Sequence, residues 1–411
     1  MAGDGDVKPK APSKPRIDAI DGCRFALVLP IVVAHFARFS TSNERLLKIL
    51  TQENVLVGGF FVISGYVAAY TSTKLGERAA DERKLARPEL FFWQKVMGYY
   101  PLHFVSTLAF TPMFVWVERQ FKTPWTTTAF RAFLSFSMLQ AWFPKEAEIW
   151  NQPTWFLSAL TFSNLTMPAI LPRVADLSKV GLRKLFYSLT AVSVLQKLSY
   201  SEAARFHMHN ISTKRPQYPL IWNLTRFHPF WALIEMTMGI VACREVMLDT
   251  PEDKKKPRTN PAVWFVAAYS TLLLRLSGKL DYNDGIVRST LFVPLYTKFL
   301  TAIHRDCVSE NPSAIAKFFG SQTMTYLGAL AFPMFILHGI IGQIFYKKAI
   351  AVKLWGQPMP NAFFPVYLAI CLGLSHVVNE NFVKSKKVAQ VAGQVAQRLT
   401  ALTEGMLQDS D

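Results

Sequence analysis

An arginine and a histidine share the first apolar segment of the chain, which reads RIDAIDGCRFALVLPIVVAHF from Arg16. Arg24 precedes His35 by eleven positions, and eleven steps of about 100° return to within roughly 20° of the starting direction. On a helix the two side chains therefore share one face, separated by about 16 Å at 1.5 Å per residue. This geometry suits an extended ligand with an anionic group near Arg24 and a reacting centre near His35.

These two residue types could accept a proton and bind an anionic group. A neutral imidazole titrates near physiological pH and can take a proton from a hydroxyl or amino group, while a guanidinium keeps its charge and matches phosphate oxygens. A charged residue inside a membrane span costs about 2.5–3.5 kcal/mol on insertion scales, which favours a functional interpretation. The alternative is that Arg24 extends to the membrane surface and His35 makes one hydrogen bond between helices. The residues alone leave both open.

The grouping of apolar residues predicts an all-α polytopic membrane protein. Of the 411 residues, 51% are hydrophobic and 18% are charged. Apolar segments recur at about the length that crosses a bilayer, and they are expected to be helical because lipid satisfies no open backbone groups. Eleven candidate segments lie at about 17–39, 54–71, 96–117, 128–143, 155–172, 184–199, 229–247, 261–277, 286–303, 325–346 and 361–381.

The positions of Lys and Arg favour ten crossings over eleven, because cytosolic loops carry the excess of positive charge. If 128–143 is interfacial or re-entrant, the main basic groups all fall on the cytosolic side. These groups begin at Lys8, Lys74, Arg173, Lys254 and Lys384. We therefore predict about ten transmembrane helices around a central cavity, with both termini cytosolic and the particular membrane left open. The short segment 184–199, which contains Lys197, is the other candidate for not crossing.

This topology divides the chain into three regions. Residues 1–16 are predicted to be a disordered basic cytosolic arm, 17–382 the transmembrane domain, and 383–411 a cytosolic, partly helical tail. No cleavable signal peptide is visible in the arm. Residues 200–228 would lie on the far side of the membrane, where the glycosylation sequons at Asn210 and Asn223 belong.

Composition also limits the partners. The net charge is +17, but the cations lie mainly in loops and tails beside apolar segments, so membrane lipids or a polyanionic ligand are expected and nucleic acid is not. The four cysteines have no pairing pattern and indicate neither a disulfide framework nor a metal site. No oligomeric state is indicated.

Further motifs follow in a fixed order. The stretch Asp-Gly-Cys-Arg at 21–24 leads to His35, and the next segment contains GFFVISGY from Gly59. Later come FFWQKVMGYYPLHF, NQPTWFLSALTFSNLTMP, WALIEMTMGIVACRE and YLGALAFPMFILHGI. Together these motifs resemble those of the membrane-bound acyltransferase-three family, which includes enzymes that O-acetylate bacterial surface polysaccharides or acylate antibiotics. The resemblance runs from about Arg16 to Phe382.

The resemblance implies an acyl-CoA donor, often acetyl-CoA, that binds from the cytosol as a co-substrate, with no permanently bound cofactor. It implies that His35 is the general base and that Arg24 binds or orients the donor. Lys95 and Ser64 are expected beside the donor, with Ser64 as candidate oxyanion donor. The remaining residues that the resemblance places around the substrate cavity are Phe60, Phe61, Tyr66, Trp155, Ser158 and His338, the last in a structural or orienting role.

Two positions depart from the family pattern. Many members carry two arginines three residues apart before the Tyr-Pro of the third span, where this chain has Lys95 and Gly98. Lysine lacks the bidentate fork of arginine, so a weaker hold on CoA phosphates is expected. The glutamate that many members carry after the Trp segment is replaced by Ala159, Leu160 and Thr161, which we interpret as a subfamily character.

The predicted function is that of an acyltransferase for groups other than aminoacyl groups. It would move an acyl group, with acetyl in first place, from acyl-CoA to a hydroxyl or amino group. Sugars, sterols, carotenoids, glycolipids and peptides all suit a partly apolar cavity as acceptors. Two alternatives remain: a transporter or flippase for a lipid or an acylated metabolite, and a catalytically inactive scaffold of the same fold.

Overall fold

The structure is a computed structural model that describes residues 14–203, 219–256, 258–277 and 284–408. Within these ranges the secondary structure is helical, apart from an isolated antiparallel bridge between Thr73 and Ala80. The first ten α-helices are α1 (Asp18–His35), α2 (Glu44–Leu50), α3 (Glu53–Ser72), α4 (Glu82–Leu85), α5 (Pro88–Met97), α6 (Tyr100–Gln120), α7 (Trp125–Ser137), α8 (Trp155–Ala175), α9 (Lys179–Ala203) and α10 (Pro219–Phe227).

The second half of the chain begins with the central helix of the fold. Its α-helices are α11 (Pro229–Met247), α12 (Pro251–Lys255), α13 (Pro261–Ser270), α14 (Asp284–Val287), α15 (Val293–Cys307), α16 (Ala314–Phe319), α17 (Gln322–Ala329), α18 (Ala331–Tyr346), α19 (Lys348–Trp355), α20 (Phe364–Val378) and α21 (Lys386–Gln408). A π-helical turn joins α14 to α15. Helix α11 packs against α3, α8, α9 and α15 and so occupies the centre.

Three helical stretches of the described residues are long and apolar enough to cross a membrane. They are Glu44–Ser72, Asp284–Cys307 and Asn361–Val383, and α17 with α18 makes a fourth if this pair, bent by 50°, counts as one span. The ten crossings predicted from the sequence are therefore not confirmed. Helices α1 and α11 fall short by this measure because each carries three Asp, Glu or Arg residues among its apolar ones.

Helix α7 covers most of the segment that was predicted not to cross. It has 13 residues and ends at Ser137, and the next residue, Met138, is left-handed with a φ of 53°. Thirteen residues at 1.5 Å each extend about 20 Å, which is short of the roughly 30 Å of hydrocarbon. This length favours the interfacial interpretation of 128–143.

The helix bundle has two opposite ends, and contacts between residues show which helix termini lie at each end. At the first, which we call the basic end, Lys14 Nζ donates to Tyr70 O at 2.6 Å and Arg244 Nη1 donates to Lys74 O at 2.7 Å. This end therefore joins the start of α1 to the ends of α3 and α11. At the opposite, histidine end, His35 lies beside Asn54 at the start of α3. Helices α3 and α11 thus run antiparallel to α1.

Lys197 illustrates how a cation is accommodated in an apolar helix. It lies on α9 and is 7% exposed. Its amine donates a hydrogen bond to the carbonyl oxygen of Thr225 and lies 5.9 Å from the centre of the Trp231 ring. The charge faces protein carbonyl and aromatic groups rather than lipid, which explains why the segment 184–199 tolerates it.

The two sequons have different positions. Asn210 lies outside the described residues. Asn223 lies in α10, where its side-chain amide donates to Pro144 O at 2.8 Å. That contact would have to break before Asn223 could carry a glycan.

Helices α3 and α11 cross with their backbones in direct contact. A Cβ atom added to Gly65 would lie 1.8 Å from Met236 O, and one added to Gly239 would lie 2.0 Å from Val62 O. Each helix thus places a glycine under a carbonyl of the other, as small-residue contacts in membrane proteins allow.

We expect Gly65→Ala to lower the free energy of unfolding by about 1–3 kcal/mol or more, because rigid backbone cannot yield to the added methyl group. The measurement is thermal unfolding of the purified protein in detergent. Gly373→Ala is the matched control, since Gly373 is also helical and has nothing within 4 Å of its added Cβ. Equal shifts for both variants would contradict this account of the crossing.

Candidate active site

His35 is the last residue of α1, and its own helix fixes which ring nitrogen carries the proton. His35 Nδ1 lies 2.9 Å from Ile31 O. A carbonyl oxygen only accepts hydrogen bonds, so Nδ1 must be the donor and Nε2 holds the lone pair of the neutral ring. Nε2 is therefore the atom of His35 that can accept a proton.

A second histidine touches the first. The ring of His338 lies 4.9 Å from that of His35, centre to centre, in an edge-to-face arrangement. His338 Nδ1 donates to Met334 O at 3.0 Å, in the same pattern as His35. The Nε2 atom of His338 is buried and has no hydrogen-bond partner among the described residues. The fold thus brings together two imidazoles that each have a lone pair on Nε2.

His35 faces a small cavity at the histidine end, with a volume of about 20 Å³. This is room for about one water molecule, so an acceptor must displace side chains to enter. Besides His35, four of the lining residues are charged or polar, which distinguishes the cavity from its apolar surroundings. The lining consists of His35, Glu53, Asn54, Val57, Glu148, Pro153, Trp155, Arg226 and Phe335.

Arg24 shares the inward face of α1 with His35. Between them on that face lie Leu27, Val28 and Ile31, all at 0% exposure. Arg24 itself is one-third exposed, and its Nη1 donates to Asp21 Oδ1 at 2.7 Å. The face between the two residues is filled by aliphatic side chains, so a donor reaches His35 along it only if those side chains move.

The hydroxyl groups that were expected beside the donor and acceptor are engaged in other contacts. Ser64 Oγ donates to Phe60 O at 2.8 Å within its own helix, and Ser158 Oγ accepts from the Ala141 amide at 3.2 Å. Tyr66 Oη lies 2.6 Å from His304 Nδ1. The structure does not bring Ser64, Ser158 or Tyr66 into the cavity at His35.

The predicted aromatic residues form a cluster behind that cavity. Trp155 lines the cavity directly. Phe61 lies 6.2 Å from Trp155 and Phe60 lies 6.2 Å from Phe335, ring centre to ring centre. Phe60 and Phe61 therefore support the cavity wall without lining it.

A buried ion pair anchors one wall of the cavity. Arg288 Nε donates to Glu235 Oε1 at 2.7 Å, and both side chains are at most 5% exposed. Arg288 Nη1 also donates to Asn54 Oδ1 at 3.1 Å. Through this contact the pair fixes Asn54, which lines the cavity.

Lys95 lies in a different cavity, at the basic end, with a volume of about 570 Å³. Volumes of this order hold small ligands. Burial, and then the charge of Lys84, lowers the pKa of Lys95, so an anion beside its amine would be favourable. The lining consists of Thr71, Ser72, Arg83, Lys84, Ala86, Arg87, Leu90, Phe91, Gln94 and Lys95, which includes four cations.

A family model for an acyltransferase domain, that of the acyltransferase-three family, matches residues 17–380. The chain belongs to this family. No curated protein and no solved structure matches it. Family membership supports the general assignment as a membrane acyltransferase, in agreement with the resemblance of the sequence motifs.

Most of the polar residues that line the cavity at His35 were not predicted from the sequence. Glu148 lies in the loop before α8 and Arg226 at the end of α10, and nothing in the sequence around them indicates a site. Arg288 did carry a signal, because it is an ionisable residue within the apolar segment 286–303. Its partner Glu235 lies in the motif WALIEMTMGIVACRE, but the motif alone does not indicate a buried ion pair.

We expect Glu235→Gln to destabilise the protein by about 3–5 kcal/mol, because it leaves the buried Arg288 charge without its counter-charge. Thermal unfolding in detergent measures the loss, and the double variant Glu235→Gln with Arg288→Met is expected to recover much of it. The control is Glu404→Gln, which removes the exposed ion pair with Arg87 and is worth about 0–1 kcal/mol. A Glu235→Gln protein as stable as this control would contradict the role of the pair.

Proposed function

We propose that this protein transfers an acyl group, with acetyl in first place, from acyl-CoA to a hydroxyl group of an acceptor bound at the histidine end. The observation that carries the proposal is the orientation of His35. Its Nδ1 is occupied by Ile31 O, and the ring borders a cavity with polar walls. In a chain of an acyltransferase family, this leaves a ring nitrogen free for general-base catalysis.

The proposed reaction balances with one proton acceptor. His35 Nε2 takes the proton of the acceptor hydroxyl as its oxygen attacks the thioester carbonyl carbon. The new carbon–oxygen bond forms, the carbon–sulfur bond breaks, and the thiolate of CoA takes the proton back from His35 Nε2. Because the thioester is already activated, the chain needs to supply only position, a base and stabilisation of the developing charge.

We place the phosphates of the CoA donor in the Lys95 cavity. Arg83, Lys84 and Arg87 line it with Lys95, and four cations suit a ligand with several phosphate groups. Arg24 would then orient the part of the donor that extends toward His35. The departures at Lys95 and Gly98 from the family pattern are offset in this proposal by the neighbouring cations.

The lining of the small cavity favours an acceptor rich in hydroxyl groups, such as a carbohydrate or a glycolipid headgroup. Glu53 and Glu148 offer oxygens that accept hydrogen bonds from hydroxyls. Trp155 offers an apolar face to the carbon side of a sugar ring. An amino acceptor and a purely apolar acceptor would use fewer of these groups.

The proposed topology follows from the same arrangement. Acyl-CoA would enter from the cytosol, so the basic end, with the Lys95 cavity, would be cytosolic. The excess of positive charge there agrees with the charge distribution of membrane proteins. Both chain termini would also be cytosolic.

We expect His35→Gln to reduce acyl transfer by about 10²–10⁴-fold, because the amide cannot act as a base. The assay supplies purified protein with labelled acetyl-CoA and with lipid and glycan extracts, and product is counted. His376→Gln is the control, since His376 is exposed on α20 and contacts Tyr326 instead of the cavity. Equal product from wild type and His35→Gln would refute the mechanism.

We expect Lys95→Ala to weaken the binding of acyl-CoA by about 10–100-fold, since one charge-assisted hydrogen bond is worth about 1.5–3 kcal/mol. Lys95→Arg should retain binding, and Lys387→Ala, at an exposed lysine of α21, should leave it unchanged. Calorimetric titration with CoA measures the affinity. Unaltered affinity in Lys95→Ala would remove the donor from this cavity and leave the role of His35 standing.

A further inference from the structure

A second basic cavity, of about 480 Å³, opens at the basic end. It shares no residue with the Lys95 cavity and is lined by α9, α11, α12, α13 and α15. Six of its lining residues are cations, namely Lys179, Arg183, Lys256, Arg258, Lys298 and Arg305. Three are acids, namely Glu245, Asp249 and Asp253. Six positive against three negative side chains leave an excess of three positive charges.

The acids hold the deeper cations in place. Asp249 is 7% exposed and contacts Lys179 Nζ at 2.8 Å and Arg305 Nε at 2.7 Å. Burial alone would raise the pKa of Asp249, but the hydrogen bonds from Arg305 and Lys179 lower it overall. This carboxylate therefore stays ionised at neutral pH and keeps the two cations fixed at the floor of the cavity.

The outer cations have N–H groups that can donate hydrogen bonds to a ligand. Lys298 is exposed and forms no ion pair within the described part of the chain. Arg258 is exposed and donates through Nη1 to Arg305 O at 3.0 Å, which neutralises no charge. Among the described residues, Arg183 donates through Nε alone, to Glu245 Oε1 at 2.9 Å. The rim thus presents ammonium and guanidinium groups to any anion that enters.

The flanks of the cavity are apolar on the outside. Tyr187 on α9 lines the cavity and is 64% exposed, and Val180 on the same helix is 61% exposed. On α13, Val263 and Val266 are 54% and 60% exposed. In a membrane protein, large exposed apolar side chains on two helices that line one cavity suit contact with lipid chains. The cavity therefore combines a cationic interior with an outer surface that lipid chains can cover.

We propose that this cavity binds the phosphate-bearing headgroup of an anionic membrane phospholipid, whose acyl chains lie against α9 and α13. The phosphate would contact Lys298, Arg258 and Arg183. A zwitterionic headgroup has no net negative charge to balance the three excess positive charges of the cavity, so it would bind more weakly. The lipid would connect α9, α11, α13 and α15 at the basic end and so stabilise the helices around the donor side.

A soluble phosphate compound would present the same phosphate group to this cavity as a phospholipid does. The acyl chains of the lipid distinguish the two ligands. A soluble ligand gains nothing from the exposed Val263 and Val266, whereas a lipid keeps its chains in contact with them. Binding that requires the chains therefore indicates a lipid. Competition by 3′,5′-adenosine diphosphate, the nucleotide part of CoA, would instead assign the cavity to the donor.

The test measures binding to full-length protein in detergent by native mass spectrometry. The probes are dioctanoyl phosphatidylinositol 4-phosphate, dioctanoyl phosphatidylcholine, inositol 1,4-bisphosphate and 3′,5′-adenosine diphosphate. We expect the wild-type protein to retain the first probe far more than the other three. In the double variant Arg258→Gln with Lys298→Gln, affinity for it should fall by about 30-fold, since each basic residue near a membrane surface is worth about 1 kcal/mol, which is about fivefold.

The matched control is Lys254→Gln with Lys255→Gln, which makes the same charge change on neighbouring exposed residues of α12 that do not line the cavity. It should bind as wild type, and the exchange Arg258→Lys with Lys298→Arg should retain most of the affinity. Equal losses in the cavity and control variants, equal retention of inositol bisphosphate and its lipid, or displacement of the lipid by the adenosine diphosphate would each overturn the proposal. The Arg258 and Lys298 variant should also keep its affinity for CoA, so this test and that of Lys95 succeed or fail separately.

Discussion

The structure depends on the crossing of α3 and α11, where two glycines let the backbones touch. Gly65 lies under Met236 O and Gly239 under Val62 O, so neither helix can slide along the other without a clash. This register sets how far Glu235 on α11 lies from Asn54 at the start of α3, and Arg288 bridges the two. A helix contact made of small residues thus determines where the polar wall of the His35 cavity stands.

Buried charges in the described part of this fold contact protein groups, and the charges of α11 keep this helix outside the limits of apolarity for a membrane span. Arg288 pairs with Glu235, and Arg244 is fully buried with its guanidinium on the oxygens of Thr73, Lys74 and Glu77. Each such group lowers the hydropathy of its helix although it faces protein rather than lipid. The ten crossings remain a prediction, because three or four helical stretches in the described ranges are long and apolar enough to span a membrane.

The sequence allowed the arrangement of α1 to be predicted, because helical geometry alone places Arg24 and His35 on one face. It did not indicate that Leu27 and Ile31 would fill the space between them, since that depends on how closely α3 approaches. Trp155 was expected at the cavity and lines it, whereas Ser64 and Ser158 were expected there and hydrogen-bond elsewhere. Glu148 reaches the cavity from the loop before α8 and Arg226 from the end of α10, and such distant contacts leave no pattern in a single sequence.

The tautomers of the two histidines are set locally by their own helices, whereas their proximity is set by tertiary packing. Each donates Nδ1–H to the carbonyl four residues earlier, Ile31 O for His35 and Met334 O for His338, so each helix fixes its own tautomer without help. The packing of α1 against α18 then brings the two imidazole rings to within 4.9 Å, centre to centre. His338 is fully buried, while His35 lines a cavity that a substrate could enlarge. A base must reach the proton that it removes, so we propose His35 as the base of this pair and give His338 an orienting role beside it.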